Sequence, residues 1–357
     1  MRLTKLRRRL TDEGLDAILI TDPANRRYLS GFTGSAGVLI ISQGRAMLAT
    51  DFRYYEQVER QAPQFELVKI KDKFVTLLPS LVDELGVCQL GFESKNVTVD
   101  MYHDLADALP DGVEFVATSD VVEGQRAVKD EDELATLQRA IALADAAYAH
   151  IADFMQPGMT EGQVAWELES FMRTHGAHKV AFDIIVAAGA NGAMPHARAS
   201  DRIIQAGEPV VMDLGAVVDG YCSDLTRTVA LGDADGRYQE VYEVVLGAQQ
   251  AAIQGIRPGM TGQEADDIAR QVIAEAGYKD AFGHGLGHGV GLVVHEKPGV
   301  GRLSDKDVLQ PGMVFSLEPG IYLPGEFGVR IEDLVVLRED GPQVLSQAAK
   351  KPILARA

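Results

Sequence analysis

Apolar positions along the chain alternate between a helical and an extended period. Leu3, Leu6 and Leu10 recur at helical spacing within a charged opening segment. Short apolar runs follow at residues 17–21, 37–41, 46–50, 66–70, 88–92 and 113–117. Strand-like runs separated by helical patterns predict an α/β domain over residues 1–124. A charged stretch, 123–133, then leads into an Ala/Leu-rich segment, 131–155, with the spacing of one long helix, so a second domain is expected over 125–357.

The second domain contains an internal repeat. Gln156-Pro157-Gly158-Met159-Thr160 closes one predicted helix and opens another, and Arg257-Pro258-Gly259-Met260-Thr261 does the same 101 residues later. The register holds around it: Ala147 matches Ala248, Val164 matches Ala265, Leu168 matches Ala269, Met172 matches Ile273 and Gly176 matches Gly277. Each half reads as two helices followed by strands, which predicts an α+β domain with internal pseudo-two-fold symmetry.

Each half also carries an acidic hairpin pattern. In VVMDLGAVVDGYCSDLTRTV, a turn centred on Val218 and Asp219 would set Asp213 opposite Asp224. In MVFSLEPGIYLPGEFGVRIEDLVVL, Glu318 and Glu332 lie equally far from Gly325 within the turn-rich segment 323–328. Facing carboxylates on apolar strands are costly unless a cation lies between them. A nitrogen donor is available in GHGLGHGVGLVVHE, where alternating glycines would put His284 and His288 on one strand face with bare backbone between. Asp213, Asp224, His288, Glu318 and Glu332 suit two divalent ions about 3.5–4 Å apart. Oxygen-rich ligation with a single histidine favours manganese, with cobalt or zinc as alternatives, over a structural zinc site.

Composition narrows the partners. The formal charge of −18, from 34 basic and 52 acidic residues, argues against nucleic acid and anionic membrane, and no apolar run approaches a membrane span. Cys88 and Cys222 are far apart with no CxxC, which fits a reduced, cytoplasmic setting. The basic start is not followed by the apolar core of a signal peptide. The glycine-rich stretch NRRYLSGFTGSAG lacks both GxGxxG and GKS/GKT, so a loop is expected there rather than a phosphate cradle.

With these motifs in this order, the chain resembles the pita-bread metallopeptidases, which include methionine aminopeptidase, aminopeptidase P and prolidase. The resemblance implies that Asp213 is an outer aspartate ligand, Asp224 the bridging aspartate, His288 the histidine ligand, Glu318 the glutamate ligand and Glu332 the bridging glutamate. All five are present, unlike in creatinase and the non-catalytic relatives, whose ligand set is incomplete. The first domain resembles the creatinase-like amino-terminal domain of the proline-directed branch, and NRRYLSGFTGSAG with TDFRYYEQ resembles its short, two-domain bacterial members. By the same resemblance, His196 in NGAMPHARAS, His284, His295 in VVHEKPG and Arg330 line the substrate pocket behind the ligands, and Tyr221 is a weaker candidate for shaping it.

The implied activity is hydrolysis of the bond between an N-terminal residue and proline. Glu318 would pass the water proton, and the histidines would stabilise the oxyanion and the leaving imine. Prolidases place an arginine just after the HExP segment, where this chain has Gly299 with Arg302 nearby. That departure favours an aminopeptidase P-like enzyme over an Xaa-Pro dipeptidase. Methionine aminopeptidase is disfavoured by the amino-terminal domain, and a non-catalytic binding protein by the intact ligands. The resemblance also implies a homodimer whose amino-terminal domain borders the partner's site.

Overall fold

The apolar runs of the amino-terminal part form one sheet. In the computed structural model, which describes residues 1–354, strands Ala17–Ile20, Val38–Ser42, Ala46–Thr50, Glu66–Lys69, Gln89–Glu93 and Glu114–Thr118 (β1–β6) are ordered β4-β3-β2-β1-β5-β6. Pairing is antiparallel for β1–β2 and β2–β3 and parallel for β1–β5, β3–β4 and β5–β6. Every residue of β1 is buried, as expected for a strand covered on both faces. Asp22 caps the helix Pro23–Ser30 by accepting from the Asn25 amide, and Gly31, at φ 79°, ends it in the left-handed conformation. These elements belong to a compact unit, Met1–Arg126, and a second unit begins at Ala127.

In the second unit the repeat is a structural one. Helices Glu131–Phe154 and Glu161–Thr174 are followed, at the same 101-residue offset in the matching ends, by Gly236–Gly255 and Gly262–Glu275. Thr160 and Thr261 head the second helix of each pair, and both form reciprocal capping boxes, with Gln163 and Glu264. The connecting loops repeat as well. The Gly158 amide donates to Ile204 and the Gly259 amide to Leu309, while Met159 and Met260 carbonyls accept from those same two residues. The two helix pairs pack in separate hydrophobic clusters, one around Tyr148, Leu168 and Met212, the other around Tyr242, Ala269 and Phe315.

Two sheets carry the acidic strands. One is four-stranded and includes Ile185–Ala188, Pro209–Leu214 and Leu225–Leu231; the other is five-stranded and includes Gly287–Gly289, Val314–Leu317 and Asp333–Arg338. The four-stranded sheet is tied to the segment that leads into Asp333–Arg338: the Glu332 amide donates to the Thr226 carbonyl, and the Thr228 hydroxyl donates to the Arg330 carbonyl. No helix among the described residues is long and apolar enough to cross a membrane.

The first hairpin is shifted from its expected register. The turn residues are Asp219 and Gly220, both at positive φ (44° and 83°), the signature of a type I′ turn. Val218 therefore pairs with Tyr221, and Asp213 faces Thr226 rather than Asp224. Asp224 sits two residues before Thr226, just outside the strand that begins at Leu225. In the second hairpin the expected register is found. Gly320–Arg330 to Leu323–Phe327 and Val314–Val336 to Leu317–Asp333 share one register, which aligns Glu318 with Glu332.

The glycine-alternating segment is only partly extended. Its strand covers Gly287–Gly289 and is interrupted by an irregularity, with His284 in the preceding loop. Close approach explains the flanking glycines: a Cβ on Gly287 would lie 2.0 Å from the Ser316 carbonyl oxygen, and one on Gly289 would lie 2.1 Å from that of Lys297.

Candidate metal centre

Two short strand ends and one glycine-bounded strand deliver the acidic residues and His288 to one cavity of about 500 Å³. Asp213, Asp224, His284, His288, His295, His196, Glu318, Arg330 and Glu332 all line it. Single ligand atoms of Asp224, His288 and Glu332 lie within 4.8 Å of one another. His288 Nε2 is 3.2 Å from Glu318 Oε1 and 3.7 Å from Asp224 Oδ2.

The donor set fits cations. His288 Nδ1 stands 3.2 Å from the Gly289 carbonyl oxygen; a neutral ring donating there turns the Nε2 lone pair toward two carboxylate oxygens. Either a proton on Nε2 or a cation between the groups relieves that contact, and a cation can take the place of the proton. Asp213 Oδ1 and Glu332 Oε1 are buried without any hydrogen-bond partner, which is costly for an ionised carboxylate and natural for a metal ligand. Burial, then the charges of Glu332 and Asp213, push the Asp224 carboxyl well above the ordinary range. Burial and the charges of Glu318 and Asp213 do the same to Glu332, and burial also raises Asp213. Burial acts against Glu318 too, yet its hydrogen bond to His288 and the charges of His288, His284 and Arg330 hold its carboxyl down to about 2. Burial disfavours the His288 cation, but the Glu318 contact outweighs it and raises the imidazole.

Arg330 supplies the central positive charge within the chain. Its Nη2 donates to Asp213 Oδ2 at 2.6 Å, Nη1 to the Tyr322 hydroxyl at 2.8 Å and to the Pro195 carbonyl at 3.3 Å, and Nε to Thr226 Oγ1 at 3.1 Å. Thr226 in turn donates to Glu332 Oε2 at 2.7 Å. Ser316 Oγ accepts from the His288 amide at 3.0 Å and donates to Glu318 Oε1 at 3.0 Å. Thus one hydroxyl residue in each half fixes an acidic side chain.

His284 is engaged at both ring nitrogens. Nδ1 is 2.8 Å from the Gly285 carbonyl, which can only accept, so Nε2 accepts from the Tyr322 hydroxyl at 2.9 Å. Burial lowers the His284 imidazole and, with the charge of His288, the His295 imidazole. His295 packs on His288 with ring centroids 4.1 Å apart. Neither His295 nor His196 forms a hydrogen bond with the described residues, so both rings are available to a ligand.

Three sequence expectations change. Tyr221 does not line the cavity; its hydroxyl donates to Glu133 Oε1 at 2.8 Å in the neighbouring core. Gly299 is also outside the lining, and a Cβ there would point at Ser304 Oγ (2.6 Å) and Asp307 Oδ2 (3.0 Å), not at the carboxylates. Arg302 is exposed and likewise off the cavity. Conversely, Tyr322, Thr226, Ser316, Asp183 and Arg198 escaped notice. Thr226 and Ser316 were detectable as residues two positions from Asp224 and Glu318, on the same strand face if the strand were regular. Tyr322 carried no comparable signal.

Comparison with known proteins agrees with this geometry. Residues 135–339 match metallopeptidase family M24, and residues 2–128 match the creatinase/prolidase N-terminal domain. An uncharacterized peptidase of Bacillus subtilis is 44% identical over 99% of this chain and 100% of its own length. The solved structure of an Xaa-Pro dipeptidase from Bacillus anthracis superposes with a TM-score of 0.95 at 44% identity, covering 99% of this chain and 98% of that one. An X-Pro aminopeptidase from Thermotoga maritima superposes at 0.90 and 38% identity, covering 98% and 100%.

Proposed function

The chain belongs to metallopeptidase family M24 with a creatinase/prolidase N-terminal domain, and from that premise we propose that it hydrolyses the bond between an N-terminal residue and proline. The carrying observation is the convergence of Asp213, Asp224, His288, Glu318 and Glu332 in one cavity, with Asp213 Oδ1 and Glu332 Oε1 lacking partners. Residues 125–357 are taken as the catalytic domain and 1–124 as the creatinase-like domain. The five residues would hold two divalent cations, manganese being preferred by the oxygen-rich set. Bound there, the cations would polarise the scissile carbonyl and activate water.

The side chains around them divide the remaining work. Glu318 is the proton acceptor, held in place by Ser316 and His288. His295 and His196, with ring nitrogens free, donate to the developing oxyanion and to the departing proline nitrogen. His284, engaged at both nitrogens, acts by holding Tyr322 and Arg330 in position. Proline needs such a site because its amide has no N–H and its ring fixes the chain. The reading includes a proline-containing peptide as partner, a homodimer and a cytoplasmic location, which rest on the resemblance and on the wide sequence separation of Cys88 and Cys222 with no CxxC.

Two forms of the activity share this site. An aminopeptidase P-like enzyme accepts Xaa-Pro-Xaa, and a dipeptidase accepts Xaa-Pro alone. The position of Gly299, off the cavity, removes the argument against the dipeptidase, and the Bacillus anthracis structure bears that name. Purified protein loaded with manganese should cleave Xaa-Pro bonds and stop on chelation. Absence of cleavage of both Xaa-Pro and Xaa-Pro-Xaa by fully metallated protein would reject the function.

A further inference from the structure

We propose that Arg198 anchors the free carboxylate of the substrate and so makes this chain a dipeptidase. The inference rests on the reading of the site as an Xaa-Pro peptidase. A dipeptide brings a carboxylate into a cavity already lined by Asp183, Asp213, Asp224, Glu318 and Glu332, so its C-terminus must meet a cation placed away from the metal ligands. The lining holds two arginines and no lysine among the described residues. Arg330 is buried and committed: Asp213, Tyr322, Thr226 and Pro195 take four of its five N–H donors. Arg198 is exposed on the cavity wall and makes no hydrogen bond or ion pair with the described residues.

The backbone leading to Arg198 is held in position. The Ala197 amide donates to the Met194 carbonyl at 3.1 Å, and the Pro195 carbonyl accepts from Arg330. The backbone that bears His196 and Arg198 is thereby fixed to the same guanidinium that fixes Asp213. An arginine suits the task because its charge is permanent and its planar fork matches a carboxylate with two parallel hydrogen bonds. His284 is already engaged at both ring nitrogens and His295 is stacked on His288, so neither offers a planar fork to a carboxylate. A longer peptide would present a neutral amide carbonyl at this point and forfeit the charge-assisted pair.

The test uses the full, manganese-loaded chain with Ala-Pro and Ala-Pro amide as substrates. Arg198→Ala should raise KM for Ala-Pro by roughly 10-fold or more, the scale of a lost charge-assisted pair, while KM for the amide and kcat for both change less than about 2-fold. Arg198→Lys should recover part of the dipeptide affinity. In parallel, calorimetric binding of proline and prolinamide reads the anchor without turnover: wild type should prefer proline, and Arg198→Ala should lose that preference. Equal effects on acid and amide, or no effect on either, would overturn the assignment. Should wild type cleave neither substrate, the peptidase reading fails, and the proline-against-prolinamide comparison still decides whether Arg198 binds a carboxylate.

Discussion

Glu318 and Glu332 stand opposite each other where two antiparallel ladders of the same register are interrupted, between the Leu317–Asp333 pair and the Gly320–Arg330 pair. Removing both residues from the ladder frees their carboxylates to turn into the cavity from matched positions. Their mutual repulsion, in a buried setting, is what a bound cation relieves.

Metal should therefore stabilise the fold measurably. At a free manganese concentration about 100 times the Kd of a site, linkage predicts roughly 2.7 kcal/mol of added stability per occupied site over the chelated protein. Glu332→Ala should shrink that difference, lower the bound metal below two ions per chain and abolish nearly all turnover. Asp224→Ala should behave likewise. Metal analysis with thermal unfolding checks both, and full occupancy in the two variants would contradict the assigned ligands.

Tyr322 links Arg330 to His284, accepting at 2.8 Å from one and donating at 2.9 Å to the other. Tyr322→Phe leaves a buried guanidinium N–H and an imidazole nitrogen without partners, a loss of about 1.5–3 kcal/mol for bonds involving charged groups. We expect kcat/KM to fall about 10-fold or more with two ions still bound. Steady-state kinetics with metal analysis distinguishes this from loss of the centre.

Backbone proximity makes Gly287 a support of His288. A Cβ there would approach Ser316 Oγ to 2.7 Å as well as its carbonyl oxygen, whereas one on Gly283 would meet nothing within 4 Å. Gly287→Ala should cost about 1–3 kcal/mol, the usual scale of overpacking, and weaken metal binding. Gly283→Ala should leave both near wild type. Metal titration of the pair of variants provides the check.

In the amino-terminal unit, Glu93 is buried and accepts from the Thr21 and Asp22 amides at 2.6 and 2.7 Å and from Asn25 Nδ2 at 2.7 Å. Burial outweighs these bonds and raises its carboxyl above 4.5. Because the folded state then holds this proton more tightly than the unfolded state, the Glu93 contribution to stability is most favourable at low pH and is lost as pH rises from about 4.5 through the raised folded value. Glu93→Gln should flatten that decline. Denaturant unfolding of the full chain between pH 4 and 8, at constant metal occupancy, would show an unchanged slope if Glu93 were not responsible.

The sequence alone determined the elements and the kinds of side chain that line the cavity, because both are written in local pattern. Runs such as 46–50 and 131–155 became a strand and a helix nearly residue for residue, and the 101-residue offset became two capped helix pairs. The spacing about Gly325 likewise gave the Glu318–Glu332 alignment. What it missed depended on backbone conformation or on contacts between distant segments. The type I′ turn at Asp219 and Gly220 displaced Asp224 from its assumed partner, since a turn's dihedrals set register and two positions shift it without changing the face. Tyr322 acquired its role from Arg330 and His284, 8 and 38 residues away. Arg198 stands out only because Arg330 is committed to residues from four separate stretches of chain. Local pattern thus fixes which groups are available, while tertiary packing decides which of their charges remain unpaired and facing the cavity.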